Sequence, residues 1–463
     1  MNPSANTPIG EYDPHYDPLV SAGPGRNANY APTYWIATAG DPPESDGPIL
    51  CDVDTDVAVV GSGYTGLACA IFLSREFGMK TTVLEANRIA WGCSVRNGGQ
   101  GQNSAGRLTR SQWIARWGKD IARRMHAEVE EGFETFEELI GRSPIDCEPQ
   151  PGGHLYVAHR QRSFDKLIEE SALLNSVFKY PTRILSREDV LREFVNEAEC
   201  VGALHEPIGT GVHAAKLAFG YLKMARAAGA RVHPASPVLY IEPRGNTFVL
   251  HTPGGKVRAR AVAVATGAYT SPGLTPLLEG RCMPILSNSV VTRPLTSAEL
   301  EATGFRTRQV ITDTRILRFY YRLLPDNRLQ IGSRSAITGA DASNPKHLQL
   351  LIEGLNRKFP PLRDIDVEYS WWGWVDVSHD MMPRVYRPDP TRALVYALGY
   401  GGNGVSYSAQ AGRRMAQMIA RQQFKAQDLP IFNSPLPTHL FAPFRRVGQR
   451  LLYSWYQMRD EAA

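Results

Sequence analysis

The stretch Gly61-Ser62-Gly63-Tyr64-Thr65-Gly66 constrains this chain more than any other. It follows the apolar run Asp56-Val57-Ala58-Val59-Val60, which suits a buried parallel strand, and it opens a segment, residues 63–75, with helical character. A second strand is expected at Thr82-Val83-Leu84, which completes a βαβ unit. In that setting each glycine has a task. Gly61 permits the tight turn, Gly63 lets a phosphate approach the backbone, and Gly66 lets helix and strand pack closely. Tyr64 and Thr65 lie on the first helical turn, whose free N–H groups and partial positive charge favour a pyrophosphate. Glu85, followed by Ala86, stands 24 positions after Gly61. An acid at that place binds ribose hydroxyls and repels a 2′-phosphate. The reading is a Rossmann-like dinucleotide domain.

The fingerprint alone does not separate FAD from NAD; three further stretches favour FAD. Trp91 to Gln100 holds Ser94, Arg96, Asn97, Gly98, Gly99 and Gln100, a loop of glycines and polar donors that can lie along a flat ring. Thr266 and Gly267 end a buried strand, where glycine allows close approach to the adenosine half. Gly401, Gly402, Asn403, Gly404 and Val405 open the last long helix. A helix N-terminus there offers its dipole and free N–H groups to charge developing on the flavin. Val238 is counted with the cofactor residues.

A chain of 463 residues allows two or three domains. Amphipathic helices are expected over 117–140, 214–228, 345–359 and 405–421, a meander over 231–265, alternating strands over 284–335, and a strand at Leu394 to Leu398. Residues 1–50 read as a Pro-rich extended arm, pinned to the body by Tyr30, Tyr34 and Trp35. The fold expected is α/β, a Rossmann-like FAD domain (51–105, 200–283, 372–425) interleaved with an antiparallel-sheet α+β substrate domain (106–199, 284–371). A C-terminal tail with a helix follows (426–463). A net charge of +5, from 51 basic and 46 acidic residues, is too mild for a nucleic-acid face. The six scattered cysteines form no CxxC pair and read as reduced thiols, with no metal site. No apolar run reaches the ~18–20 residues of a membrane span, and the N-terminus lacks the apolar stretch of a signal peptide. A cytoplasmic protein is expected.

Motifs along nearly the whole chain resemble the D-amino-acid-oxidase-like FAD oxidoreductases, the glycine/sarcosine oxidase group. They include Val59–Gly66, Leu84-Glu85-Ala86, Arg96–Gln100, Pro151-Gly152-Gly153, Tyr320–Leu323, Asp326–Leu329, Met382-Pro383, the Gly401–Val405 loop and Trp455 to Asp460. Similar sequences often read Ser-Gly-His-Gly where this one has Gly401-Gly402-Asn403-Gly404. The resemblance implies oxidation of a C–H bond beside nitrogen, with hydride passing to flavin N5 and the imine hydrolysing. It implies a gamma-glutamylated polyamine as first substrate, with a cyclic or secondary amino acid such as L-pipecolate or sarcosine as the alternative, and oxygen or quinone as acceptor. A non-catalytic flavin-binding protein would carry the same motifs. The early loop has no His near Trp91–Ser94 and no Cys follows Cys282, so FAD is expected to be held non-covalently.

This chemistry needs positioning and a neutral amine more than acid–base catalysis. Tyr320 and Tyr321 are adjacent on one strand, so one of them faces the pocket; Tyr321 is carried as the candidate. Arg318 and Arg322, on the other face of the alternation, are candidates for a bidentate carboxylate clamp, or else surface ion-pair partners, and Arg334 is a further clamp candidate. Trp374 is a candidate wall, His379 a candidate to tune the amine, and Asn403 a contact to flavin or substrate. The basic, aromatic tail suits a helix docked on the FAD domain; a membrane-surface helix at the inner face, feeding quinone, is the other reading.

Overall fold

The computed structural model describes residues 9–438 and 442–461; the first eight positions of the expected arm lie outside them. The βαβ unit forms where the glycines place it. The strand Val53–Val60 leads through Gly61 into the helix Tyr64–Phe77, and the strand Thr81–Leu84 returns parallel to the first. These strands lie in an eight-stranded sheet. Gly255–Val264 and Arg231–His233 extend it in parallel on either side, and Leu394–Leu398 pairs in parallel with the end of Gly255–Val264. The meander Tyr240–Arg244, Thr247–Thr252 and Gly255–Val264 closes one edge. Every residue from Tyr64 to Leu73 is buried, since both faces of this helix are covered. Gly412 of the helix Tyr407–Ile419 makes the close approach, because a β-carbon there would lie 2.6 Å from the Cys69 nitrogen.

A second eight-stranded sheet runs Val367–Ser378, Cys282–Pro294, Arg328–Ser333, Tyr320–Leu323, Val310–Asp313, His154–Ala158, Gly202–Glu206, Arg183–Ser186. Its pairs are antiparallel except Val310–Asp313 with His154–Ala158. Those two strands come from separate passes of the chain, and a parallel pair needs such a long crossover. Three short strands, Gln100–Gln102, Gly209–Gly211 and Gln150–Pro151, form a third sheet.

Pairing moves two of the expected boundaries. Gly202–Glu206 belongs to the second sheet, although residues from 200 onward were expected in the cofactor domain. Val367–Ser378 stays with that sheet to its last residue, because its partner Cys282–Pro294 continues beside it past residue 372. The helix expected over 117–140 is Lys119–Arg142, and a shorter helix, Arg110–Trp117, precedes it across Gly118 with φ +81°. The longer helix packs its Val129–Phe136–Leu139 face into the large core cluster that it shares with the helices Tyr407–Ile419 and Ala214–Ala227.

The arm contains a short helix, Tyr34–Thr38, and its rings are buried against the loop after Glu85. Tyr30 donates to the Ile89 carbonyl at 2.8 Å and Trp35 Nε1 to the Asn97 carbonyl at 2.8 Å. The C-terminal helix Arg445–Glu461 docks through an Arg446–Asp17 ion pair at 2.7 Å and through Asp460, which accepts the Ile316 and Leu317 N–H groups at 2.9 and 3.2 Å. Its outer face leaves Val447, Leu451, Trp455 and Met458 exposed, as is Phe444 directly before it. Among the described residues no helix is long and apolar enough to cross a membrane.

Candidate cofactor and active site

A long cavity crosses the carboxyl ends of the parallel strands and passes under the second sheet. Its first end is built by Gly61, Gly63, Tyr64, Thr65, Glu85, Ala86, Val238, Thr266 and Gly267. Gly61 has φ +100°, and a β-carbon there would meet the Ala265 carbonyl at 2.6 Å. A β-carbon at Gly66 would lie 1.9 Å from the Gly61 carbonyl, so Gly66 works behind the wall by letting helix and turn touch. The first N–H groups of a helix have no partner within it. Here the Tyr64 N–H goes to Ser94 Oγ at 3.0 Å and Leu67 is the first to find the Gly63 carbonyl, which leaves the N–H of Thr65, a lining residue, open to a ligand. Glu85 accepts the Ser62 N–H and hydroxyl at 3.0 and 2.7 Å and the Asn87 N–H at 3.1 Å. Burial raises its pKa, and these three donors oppose that by favouring the carboxylate.

The middle of the cavity is lined by Ser94, Arg96, Asn97, Gly98 and Gln100 on one side and by Gly401, Gly402, Asn403, Gly404 and Val405 on the other. Asn97 holds its own turn. Its amide donates to the Cys93 and Ser94 carbonyls at 3.0 Å, and its oxygen accepts the Gly99 N–H at 2.7 Å. Gly98 thereby faces the Tyr320 ring, 2.7 Å from where a β-carbon would stand. Gly99 sits behind the lining at φ +63°, against the Val212 carbonyl. Arg96 is anchored by Nε to the Trp91 carbonyl at 3.1 Å, with its guanidinium 4.2 Å from the Trp91 ring centre. The Asn403 amide donates to Ser104 Oγ at 3.3 Å and to the Gly106 carbonyl, tying the glycine loop to the segment that carries Arg107.

Four of the catalytic candidates lie elsewhere. Tyr320 lines the cavity, its hydroxyl 2.7 Å from Ser289 Oγ, while Tyr321 turns the other way and donates to the Glu197 carboxylate in the core of the second sheet. Arg322 shares the Tyr320 face but lies beneath Gly99 and Gly211, bonded to Gln150 at 2.5 Å and the Val212 carbonyl at 2.7 Å. Burial lowers its pKa to about 10, and it is a pillar under the Gly98–Gly99 turn. Trp374 is packed away, donating to the Tyr16 carbonyl at 2.9 Å under the Arg446 guanidinium; its neighbours Gly373 and Val375 face the cavity. His379 lies outside the lining, its ring nitrogen 3.2 Å from the Gly280 carbonyl. For Tyr321 and Arg322 the strand was expected where it lies and the tertiary cover decided which way the side chain turns, whereas Trp374 was expected in the cofactor domain and belongs to a strand of the second sheet.

Arg318, Arg334 and Asn403 do line the cavity, Tyr320 rather than Tyr321 faces it, and the structure adds Arg107 and Asp376. Arg107 follows Gly106, whose φ of +77° brings the chain against Met381; the Arg107 N–H donates to the Met381 carbonyl at 2.9 Å, and Nη1 to the Gly401 carbonyl at 3.2 Å. Arg318 donates to the Tyr156 hydroxyl at 3.3 Å and Arg334 to the Ile316 carbonyl at 3.4 Å. Burial, with the mutual repulsion of these cations, drives the Arg107 pKa well below its ordinary value and lowers that of Arg334. Asp376 accepts the Gly399 N–H at 2.5 Å, and burial lifts its carboxyl to about 6. The Gly106-Arg107 pair, shortly after the Arg96–Gln100 motif, was the only sequence signal for Arg107.

The residues present fit FAD: a glycine turn that admits a phosphate, an open N–H group at a helix start, an anchored acid for the ribose, and a slot between two glycine loops for a flat ring. Comparison with known proteins agrees. Residues 56–418 match the family described as FAD dependent oxidoreductase (DAO). The chain is similar to gamma-glutamylputrescine oxidoreductase of Escherichia coli strain K12, at 32% identity over 88% of this chain and 93% of that one. It is also similar to a probable oxidoreductase, OrdL, of Haemophilus influenzae, at 28% identity over 80% and 84% of the two chains. Among solved structures, glycine oxidase from Geobacillus kaustophilus superposes with a TM-score of 0.71 at 21% identity, covering 84% of this chain and 100% of that one.

Proposed function

The chain belongs to the FAD dependent oxidoreductase family, and from that premise we propose that it oxidises the C–N bond of a small amine carrying a carboxylate. FAD, when bound, supplies the hydride acceptor. The observation that supports a carboxylated substrate is the set of inward arginines, Arg107, Arg318 and Arg334, at the end of the cavity away from Glu85. A guanidinium receives a carboxylate as a two-pronged fork and so fixes the carbon that must lose hydride. The same positive field disfavours an ammonium, which leaves the nitrogen neutral with its lone pair available. The C–H bond then breaks with its electron pair leaving as hydride, C=N forms from the lone pair, and the nitrogen proton passes to water. Water adds to the imine and releases a carbonyl compound and the smaller amine. Tyr320 and the arm-covered Tyr269 wall the ring slot against bulk solvent.

A plain diamine, doubly cationic, suits this end poorly. A gamma-glutamylated polyamine and a secondary amino acid each bring a carboxylate, so both stay within the reading. The test is anaerobic bleaching of the yellow protein by putrescine, gamma-glutamylputrescine, sarcosine, proline, pipecolate and D-alanine. Loss of the visible flavin band with a carboxylated amine, and not with putrescine, is the expected result; return of colour in air would then assign oxygen as acceptor, and slow return quinone. Bleaching by putrescine alone, or by nothing in a broad amine panel, would overturn the reading.

A further inference from the structure

Three guanidiniums converge on one end of the cavity, and among the described residues none of them forms an ion pair. The leading neighbours of Arg107 and Arg334 are the other guanidiniums and the hydroxyls of Tyr156, Tyr320, Tyr453 and Tyr456, and the two carboxylates on the same cavity lining are engaged elsewhere, Glu85 by Ser62 and Asn87 and Asp376 by the Gly399 N–H. Arg318 Nε is buried without an acceptor, and so is the hydroxyl of Tyr453 on the C-terminal helix that closes this end. Unpaired charge in such a place is costly, so the geometry calls for anions from outside the chain. One carboxylate offsets one of three charges and satisfies one fork. Arg107 also spends a nitrogen on the Gly401 carbonyl, while Arg318 and Arg334 have only the long bonds to Tyr156 and Ile316.

Resting on the carboxylated-amine reading above, we propose that the substrate is dianionic: an amine bearing two carboxylates, received by Arg318 and Arg334 with Arg107 beside them. The lowered pKa of Arg107 and of Arg334 fits two like charges that await such a partner. The remaining wall at this end, Thr312, Ser287 and Tyr320, adds no negative charge, its hydroxyls being bonded to His154, to one another and to Ser289.

Binding tests this without turnover. The holoenzyme is titrated with inert pairs, acetate against malonate and butyrate against glutarate, read by the shift of the flavin's visible spectrum. The dicarboxylate is expected to bind about ten- to hundredfold more tightly than its partner, the effect of one further charge-assisted pair. Arg318→Gln and Arg334→Gln, each checked for full flavin content, are expected to bring that ratio close to one. Equal affinity within each pair for the unmodified protein overturns the proposal, whatever the variants do. The same pairing applied to amines, sarcosine against iminodiacetate and alanine against aspartate, separates the two claims. Bleaching by the monocarboxylate with no gain from the second carboxylate sinks the dianion and leaves C–N oxidation standing. Preference for dicarboxylates in binding, with no amine bleaching the flavin, supports the dianion and sinks C–N oxidation.

Discussion

At Gly66 a single added methyl group would stand 1.9 Å from the Gly61 carbonyl, closer than any relaxation of side chains can relieve, because both partners are backbone. Gly66→Ala is therefore expected to open the turn that receives the pyrophosphate and to cut flavin per chain at least tenfold, a loss of about 1.4 kcal/mol in binding. Flavin absorbance against protein absorbance checks it; a variant purified fully yellow would show that the turn tolerates the shift. Asp376 gives a pH prediction. Its unfolded carboxyl titrates near ~3.9 and its buried one near 6, so between those values the folded protein holds more protons. Stability from this residue is thus greatest below pH ~4 and falls by about 3 kcal/mol as pH rises through 6. Asp376→Asn keeps an acceptor for the Gly399 N–H and removes that titration. Urea unfolding across pH 4 to 7 should show the variant gaining on the parent as pH rises; parallel curves would refute it. At this scale the motifs spoke and the facings did not. Gly61, Gly63 and Glu85 were legible because their tasks are set by local chain geometry. Tyr320 over Tyr321, and Arg107 beside Arg318, follow from which sheet covers which face, and sequence neighbours carry no record of that.

The two helices that begin at the cavity, Tyr64–Phe77 and Tyr407–Ile419, touch through Gly412. A β-carbon there would lie 2.6 Å from the Cys69 nitrogen and 2.8 Å from the Thr65 carbonyl, so Gly412→Val must push the helices apart. Overpacking of this kind costs about 1–3 kcal/mol. The larger effect should fall on flavin retention, since both N-termini move away from the ligand together. Expected are a lower melting temperature and faster flavin release, measured by thermal unfolding and by dilution into apo-acceptor; unchanged release would show that the N-termini are held by other contacts. The tail helix is an element whose meaning only the structure supplies. Its Trp455 to Asp460 stretch stood out by resemblance, and in the structure Asp460 accepts the N–H groups of Ile316 and Leu317, directly before Arg318. Asp460→Ala is expected to speed amide exchange over residues 445–461 and 316–318 and to weaken glutarate binding severalfold, with flavin content unchanged. Exchange that stays at the parental rate would mean that the Arg446–Asp17 pair and Tyr453 hold the helix unaided. The outlying strands show the limit of pattern reading. The meander and the βαβ unit were legible because consecutive segments pair, whereas Gly202–Glu206 joins the second sheet across intervening chain, and nothing in its own residues names that partner.

Across the whole molecule the chain crosses between its two large sheets repeatedly, and the cavity lies on that seam. Val377 of the second sheet bridges to Tyr400 beside the Gly401 loop, and Tyr400 bonds in turn to Thr65 at the start of the first helix. A ligand spanning Glu85 to the slot between the Gly98 turn and the Gly401 loop, walled by Tyr320, Gly373 and Val375, therefore touches elements of both sheets, and neither sheet can open without releasing part of it. This coupling sets how the protein should unfold. A ligand bound only by the folded state adds RT ln(1 + [L]/Kd), about 2.7 kcal/mol at a hundredfold excess over Kd. If the seam works as one unit, that increment belongs to a single transition. Stripping FAD at high bromide concentration and returning it in steps is then expected to raise one melting transition progressively. Tryptophan emission, which samples both sheets, and far-ultraviolet dichroism should follow it together. If added FAD instead moved one of two separate transitions and left the other in place, the sheets would be independent units that happen to share a ligand. The arginine cluster on the far side would then have to act without support from the glycine turn.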